Sequence, residues 1–430
     1  MRDMPQKATD QRCEAPYYVR GLALGVCAFL IGVHFWTWVL FGSTFIGGRA
    51  DFRQLYTAGY MVRTGAGRQL YDYPAQLRFQ NHLVSREDLA LPFVRPAYAA
   101  LLFAPLSRLS FKSAYLVFLG INLCLLVLCW VLFRGRTRSL AKIYKWLPAA
   151  LFLAYLPIAA ALLQGQDSIL LLTLFVIAAI LLDRGRDMTA GLVVGAGLFK
   201  LQVVLPIAAL FLLWRRWRFS CGFLLSSLAA GMASIWVIGQ NAAWGYVRSL
   251  FIPTGSSQLP NVLHSYPLDP QVMPNLHGLI YGLLAGRIPS PWLFALVGLL
   301  SCALLIFSAV RGSGLRGAEP LYLAITTSVL VSYYLLIHDL SVLLLPVLVS
   351  LDRFIGAESS GDRRGRMIVR ASMVAFVAPI CTSYAPSLFY LVCLPVLGLL
   401  LAQAAAYRDD LTWECSNSVL AATPQASQAD

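Results

Sequence analysis

Ionisable and amide side chains stand at the edges of apolar runs in four places in this sequence. Asp51 lies in GGRADFRQLYTAGY (47–60), just beyond the first long apolar run and between Arg49 and Arg53. Gln164, Gln166 and Asp167 lie in the knot QGQDS (164–168). Lys200, with Gln202 near it, interrupts the apolar stretch 189–214, and His338 with Asp339 closes another run. Polar groups at membrane depth are expensive to bury, so each is a candidate functional position. A carboxylate can serve as general base towards an alcohol. Lysine, arginine and histidine can stabilise a phosphate leaving group electrostatically.

The elements that must position these groups are membrane helices. Of 430 residues, 58% are hydrophobic and 13% charged, and the mean hydropathy is +0.68. Continuous apolar runs recur between short polar knots, the signature of an all-α polytopic membrane protein; a β-barrel would alternate instead. The runs are 21–46, 114–133, 147–163, 169–182, 189–214, 220–239, 291–310, 320–337, 340–352, 368–384 and 386–406. The net charge of +14 comes largely from arginine and lysine in the short connections, as the positive-inside rule expects, so nucleic acid is not an expected partner. The nine cysteines form neither a disulfide framework nor a metal-ligand spacing. No cleavage site follows the first run, so residues 1–20 read as a cytoplasmic N-terminus, 21–406 as one transmembrane domain and 407–430 as a disordered cytoplasmic tail.

Charge parity works if 189–214 is a hairpin. Each arm has about a dozen residues, too few to span a bilayer that takes about 20. The arms would meet below the outer surface with Lys200 at the apex; the alternative is one tilted span. With the hairpin, every short basic connection falls on the cytoplasmic side, and the expectation is a bundle of about 10–13 helices. Segments 47–112 and 240–276 then form the first and second large extracytoplasmic loops. The first loop is basic, which an anionic lipid substrate would explain. It carries helical spacing over 52–61, stopped by Gly65 and Gly67, and a second interfacial helix in 95–110, entered after Pro96 and broken at Pro105.

On this topology Asp51, Gln164, Gln166, Asp167, Lys200, His338 and Asp339 share one face. Each has a plainer reading: Asp51 as a helix end, Lys200 as a snorkelling amine, His338 as a polar helix end. Asp167 reads best as the first turn of the following span, and His264 and His277 as loop histidines without a chemical role. The shared face favours chemistry. Transfer of a sugar from a membrane-borne polyprenyl phosphate to a hydroxyl fits the set, and direct displacement with inversion needs one carboxylate rather than an acid and base pair. A transporter or flippase for a lipid-linked sugar is the alternative, although the halves show no repeat and the polar groups gather at one face. A purely structural scaffold would tolerate loss of Asp51.

ADFRQLYTAGYMVRTGAGRQLYD (50–72) resembles the first outer loop of glycosyltransferase family 87. The resemblance continues through FAPLSRLSF (103–111), GQDSILLLTLFVIAAILLDRGRDMTAGLVVGAGLFK (165–200), MPNLHGLI (273–280) and HDLSVLLLPVL (338–348). It implies a GT-C-type bundle acting as a polyprenyl-phosphate-mannose-dependent α-mannosyltransferase, in a bacterial cytoplasmic membrane with its site on the extracytoplasmic face. It implies Asp51 as the catalytic carboxylate, His338 near the donor phosphate and Lys200 as the lysine ending the glycine-rich span. No cofactor or metal is implied; the expected partners are the lipid-linked donor, a glycolipid or glycan acceptor and membrane lipids. Arg49, Arg53, Arg95, Gln166, Asp339 and Tyr56 complete the candidate substrate-binding set. The two arginines beside Asp51 could hold it ionised or grip phosphate. Arg95, in VRPAY (94–98), replaces the aromatic residue of the family's usual aromatic-Pro-Pro, as a phosphate contact or a neutral change.

Overall fold

The computed structural model describes residues 17–250, 269–355, 363–383 and 385–406. The expectations for residues 1–16, for the middle of the second loop with His264, and for the tail 407–430 lie outside the described residues. Every regular element described is helical. In chain order these are α1 (Tyr17–Thr44), α2 (Phe52–Arg63), α3 (Tyr73–Leu83), α4 (Tyr98–Phe103), α5 (Phe111–Phe133), α6 (Arg138–Ile143), α7 (Leu147–Ala154), α8 (Leu156–Gln164) and α9 (Ser168–Asp183). There follow α10 (Asp187–Ala196), α11 (Leu201–Leu213), α12 (Trp217–Ile238), α13 (Gln240–Leu250), α14 (Leu276–Leu284), α15 (Ser290–Gly312), α16 (Glu319–Val331), α17 (Leu344–Phe354), α18 (Arg363–Ser383) and α19 (Pro386–Ala406). Among the described residues, six stretches are long and apolar enough to cross a membrane, seven with the bent pair α7–α8. The protein is therefore an all-α polytopic membrane protein.

The two ends of the bundle differ. At one, Arg136 pairs with Asp183, Arg353 with Glu319 and Arg216 with Asp187, and the Leu140 N–H donates to Asp352 Oδ1 (2.8 Å). The basic connections 134–145, 183–187, 214–218 and 311–317 thus share that end. Asp51, Gln166, Asp167, Lys200, His338 and Asp339 share the other.

Length alone would make 187–213 a single span. A straight helix of that length would separate its ends by about 39 Å. Instead Arg216 Nη1 reaches Asp187 Oδ2 at 3.3 Å. The stretch is a hairpin turned at Gly197–Lys200, and the contacts decide over the length. Glycine lets its first arm lie close to α12: a Cβ on Gly191 would strike the Phe219 carbonyl, and one on Gly222 the Met188 carbonyl. The hairpin arms and their neighbours are short. At about 1.5 Å per residue, α9 rises about 24 Å, short of a core of about 30 Å.

The sequence suggests one straight span over 147–163; the structure bends it by 58° between α7 and α8. Pro157 has no N–H for the Leu153 carbonyl, and His34 Nδ1 on α1 meets that oxygen at 3.0 Å instead. Likewise the span expected over 320–337 stops at Val331, and a 3-10 stretch Ile337–Leu343 carries His338 and Asp339. The segment 47–112 holds the two expected helices, as α2 and α4, plus α3. Asp72 caps α3 by accepting from the Ala75 N–H, with Pro74 in the first turn.

Candidate functional site

Three chain breaks and one loop deliver the site. Asp51 stands at the start of α2, in the short connection after α1. Its backbone N–H donates to Gln164 Oε1 (3.1 Å) at the end of α8. Gly165 turns the chain from α8 into α9 with φ +59, a left-handed conformation that favours glycine, and a Cβ there would meet Phe52 at 2.8 Å. That turn presents Gln166 and Asp167. Lys200 comes from the hairpin apex, and the unwound segment after α16 brings His338 and Asp339.

Arg95 and Lys200 sit among carboxylates. Arg95 Nε donates to Asp167 Oδ2 (2.7 Å) and its Nη2 to Asp167 Oδ1 (3.1 Å), a two-pronged pair. Nη2 also donates to Gln166 Oε1 (2.8 Å), and Nη1 to Gln54 Oε1 (3.2 Å). Lys200 Nζ lies 2.7 Å from Asp339 Oδ1, 3.3 Å from Asp167 Oδ1 and 3.4 Å from Gln166 Oε1. Those acceptors match the three ammonium protons. Ser168 Oγ donates to Asp339 Oδ1 (3.2 Å), and Asp339 Oδ2 takes the Leu336 N–H (3.1 Å). His338 lies between two acids, Nδ1 4.0 Å from Asp51 Oδ2 and Nε2 3.5 Å from Asp339 Oδ1. Gln166 Nε2 donates to Asp51 Oδ2 at 2.6 Å.

The carboxylates are not equivalent. Asp167 and Asp339 side chains are 2% exposed and carry cationic partners, whereas Asp51 is 21% exposed with no arginine or lysine partner among the described residues. Asp51 is thus the most open of these three acids. Burial alone would depress the Arg95 pKa, but Asp167, Asp339 and Asp51 more than offset it, so the value is raised and the guanidinium stays charged. Its backbone is pinned as well. Tyr71 Oη donates to the Arg95 carbonyl (2.8 Å) and Tyr246 Oη to that of Val94 (3.1 Å), and the two rings stack at 4.7 Å.

Other candidates point elsewhere. Arg53 is buried and spends its donors on Gln80 Oε1 (3.0 Å), Asn81 Oδ1 (2.9 Å), and Ser85 Oγ and O (2.8 and 2.7 Å), fastening α2 to α3. Arg49 is 70% exposed and lies 3.6 Å from Glu87. Neither arginine is paired with Asp51. Tyr56 donates to the Leu109 carbonyl (2.8 Å) within an aromatic cluster. His277 lies buried in α14 rather than in a loop, and its Nδ1 meets the Tyr333 carbonyl at 2.7 Å, 56 positions away.

Asp167 corrects the reading as a mere helix start: its side chain makes no cap and joins Arg95 to Lys200. Gln54 is the residue the sequence reading passed over. Its signal is spacing, three positions after Asp51 on one helical face. Among the described residues, no group of three or more His, Cys, Asp or Glu is arranged to hold a metal ion.

The family model described as glycosyltransferase family 87 matches residues 93–338, more than half the chain. Comparison with curated proteins gives no match, and comparison with solved structures gives none either.

Proposed function

This chain belongs to glycosyltransferase family 87 and is a membrane glycosyltransferase, and on that premise we propose that it moves mannose from a polyprenyl-phosphate donor to a hydroxyl of a glycolipid or glycan by a single inverting displacement. Asp51 is the general base. The acceptor oxygen attacks the anomeric carbon as its proton passes to a carboxylate oxygen of Asp51. The bond from that carbon to the phosphate oxygen breaks with its electron pair, releasing polyprenyl phosphate. The observation that carries this reading is the contrast among the three clustered acids: of these, Asp51 alone is partly open and has no arginine or lysine partner among the described residues.

The donor phosphate has two groups to meet, His338 and the remaining N–H of Arg95, because four of the five guanidinium donors are engaged. Lys200, its protons already assigned, supplies positive potential from behind. The site faces away from the basic connections, which supports an extracytoplasmic location by the positive-inside rule. The test is purified protein in lipid with polyprenyl-phosphate-mannose and a panel of glycolipid acceptors. A mass-spectrometric product one hexose heavier, with release of polyprenyl phosphate, is expected; the donor crossing the membrane chemically unchanged would overturn the reading in favour of transport.

A further inference from the structure

Outside the carboxylate cluster, the first outer loop carries a recess of about 590 Å³ lined by Leu77, Arg78, Asn81, His82 and Arg86. We propose that it binds the phosphate of an anionic lipid headgroup. The inference does not depend on the transfer reading.

The floor is rigid. Asn81 Oδ1 accepts from Arg53 Nη2 (2.9 Å) and from the Glu87 N–H (3.0 Å), and its Nδ2 donates to the Glu87 carbonyl (2.9 Å). Arg53, buried, is further held by Gln80 and Ser85. The walls carry two guanidinium groups and are available. Among the described residues, Arg78, His82 and Arg86 form no ion pair with a carboxylate. Of the acids nearest in sequence, Glu87 lies beside Arg49 (3.6 Å), Asp72 caps α3, and Asp88 is exposed and forms no ion pair among the described residues. A pair of guanidinium forks over a fixed amide suits the several oxygens of a phosphate, and Leu77 gives an apolar wall for the group that the phosphate carries.

The height fits a lipid. Gly48 closes the last turn of the first span, and a Cβ there would meet Val84 at 2.6 Å and Ser85 at 3.0 Å. Residues 84 and 85 therefore rest on the end of that span. Arg86, the next residue, stands where the hydrocarbon ends and headgroups begin. Cations at that level attract anionic headgroups.

The test is native mass spectrometry of the full chain titrated with phosphatidylglycerol, phosphatidylcholine or inorganic phosphate. The wild type is compared with Arg78→Gln/Arg86→Gln, and with Arg138→Gln at the opposite end as control. Expected is one tight phosphatidylglycerol, weakened roughly tenfold or more in the double variant and unchanged in the control. Phosphatidylcholine should bind wild type and double variant alike. Unchanged thermal midpoints would confirm that these exposed substitutions leave the fold intact. Equal phosphatidylglycerol affinity in wild type and double variant overturns the site, as does an equal loss in the control. Inorganic phosphate binding as tightly as the lipid would overturn the headgroup assignment.

Discussion

Asp51→Asn against Asp167→Asn separates the acid proposed to react from the acid that holds. At position 51 an amide oxygen can still accept from Gln166 Nε2, now 2.6 Å from Asp51 Oδ2, and no arginine or lysine is left without its partner. The stability change should stay within about 1 kcal/mol. The loss of a general base should lower the transfer rate by about 10²- to 10⁴-fold, or about 2.7–5.5 kcal/mol of barrier. At position 167 the substitution breaks the two-pronged pair with Arg95 and the 3.3 Å contact with Lys200, both buried. Leaving such charges uncompensated costs about 3–5 kcal/mol. Both variants are purified in the same lipid, assayed for transfer by mass spectrometry and melted. Asp51→Asn should be inactive at a wild-type midpoint and Asp167→Asn should melt well below it. Transfer within a few-fold of wild type in Asp51→Asn refutes the base; a midpoint as low as that of Asp167→Asn refutes the division of roles.

Arg95→Lys keeps the charge but loses the fork that reaches Asp167 and Gln166. Donor KM is expected to rise by about tenfold with the protein still folded, an effect of about 1.4 kcal/mol; an unchanged KM would remove Arg95 from donor recognition. Gly222→Leu should push α12 off the hairpin arm at Met188 and lower stability by about 2 kcal/mol or more, while Gly231→Leu, with nothing within 4 Å, should be nearly neutral. Equal midpoints for those two glycine variants would show that the close helix approach carries no weight.

Much of this site is legible in sequence because charge parity and helix length are one-dimensional quantities. Arms of about a dozen residues cannot each span a bilayer, which is enough to set Lys200 at a hairpin apex on the face of Asp51 and His338. The orientation of side chains around α2 follows from 100° per residue, yet needs a reference contact. Asp51 and Gln54 lie on one face; Arg53 turns away to Asn81 and Ser85, and Tyr56 to Leu109. The role of Asp167 was hidden, since a carboxylate at a helix start has a sufficient local explanation. Its partner Arg95 is 72 positions away in sequence, joined only by the fold. The bend at Pro157 is visible as a proline but not as an angle.

The charge balance of the cluster leaves one further consequence of the transfer reading. Arg95 and Lys200 against Asp167 and Asp339 sum to zero, and Asp51 adds one negative charge. His338, between Asp51 and Asp339, is the member whose imidazole can gain a proton. A donor phosphate brings more negative charge into a low-dielectric site, where uncompensated charge is costly. It must displace a carboxylate from Lys200 or recruit a proton to His338. The second route leaves the buried pairs intact, so donor binding is expected to take up about one proton. Calorimetry of donor binding in two buffers of different ionisation enthalpy reads that number directly. His338→Asn should bind donor more weakly and take up no proton. Binding by the wild type with no proton uptake would mean that Lys200 exchanges partners instead, and the ammonium rather than the imidazole would then be the group that meets the phosphate.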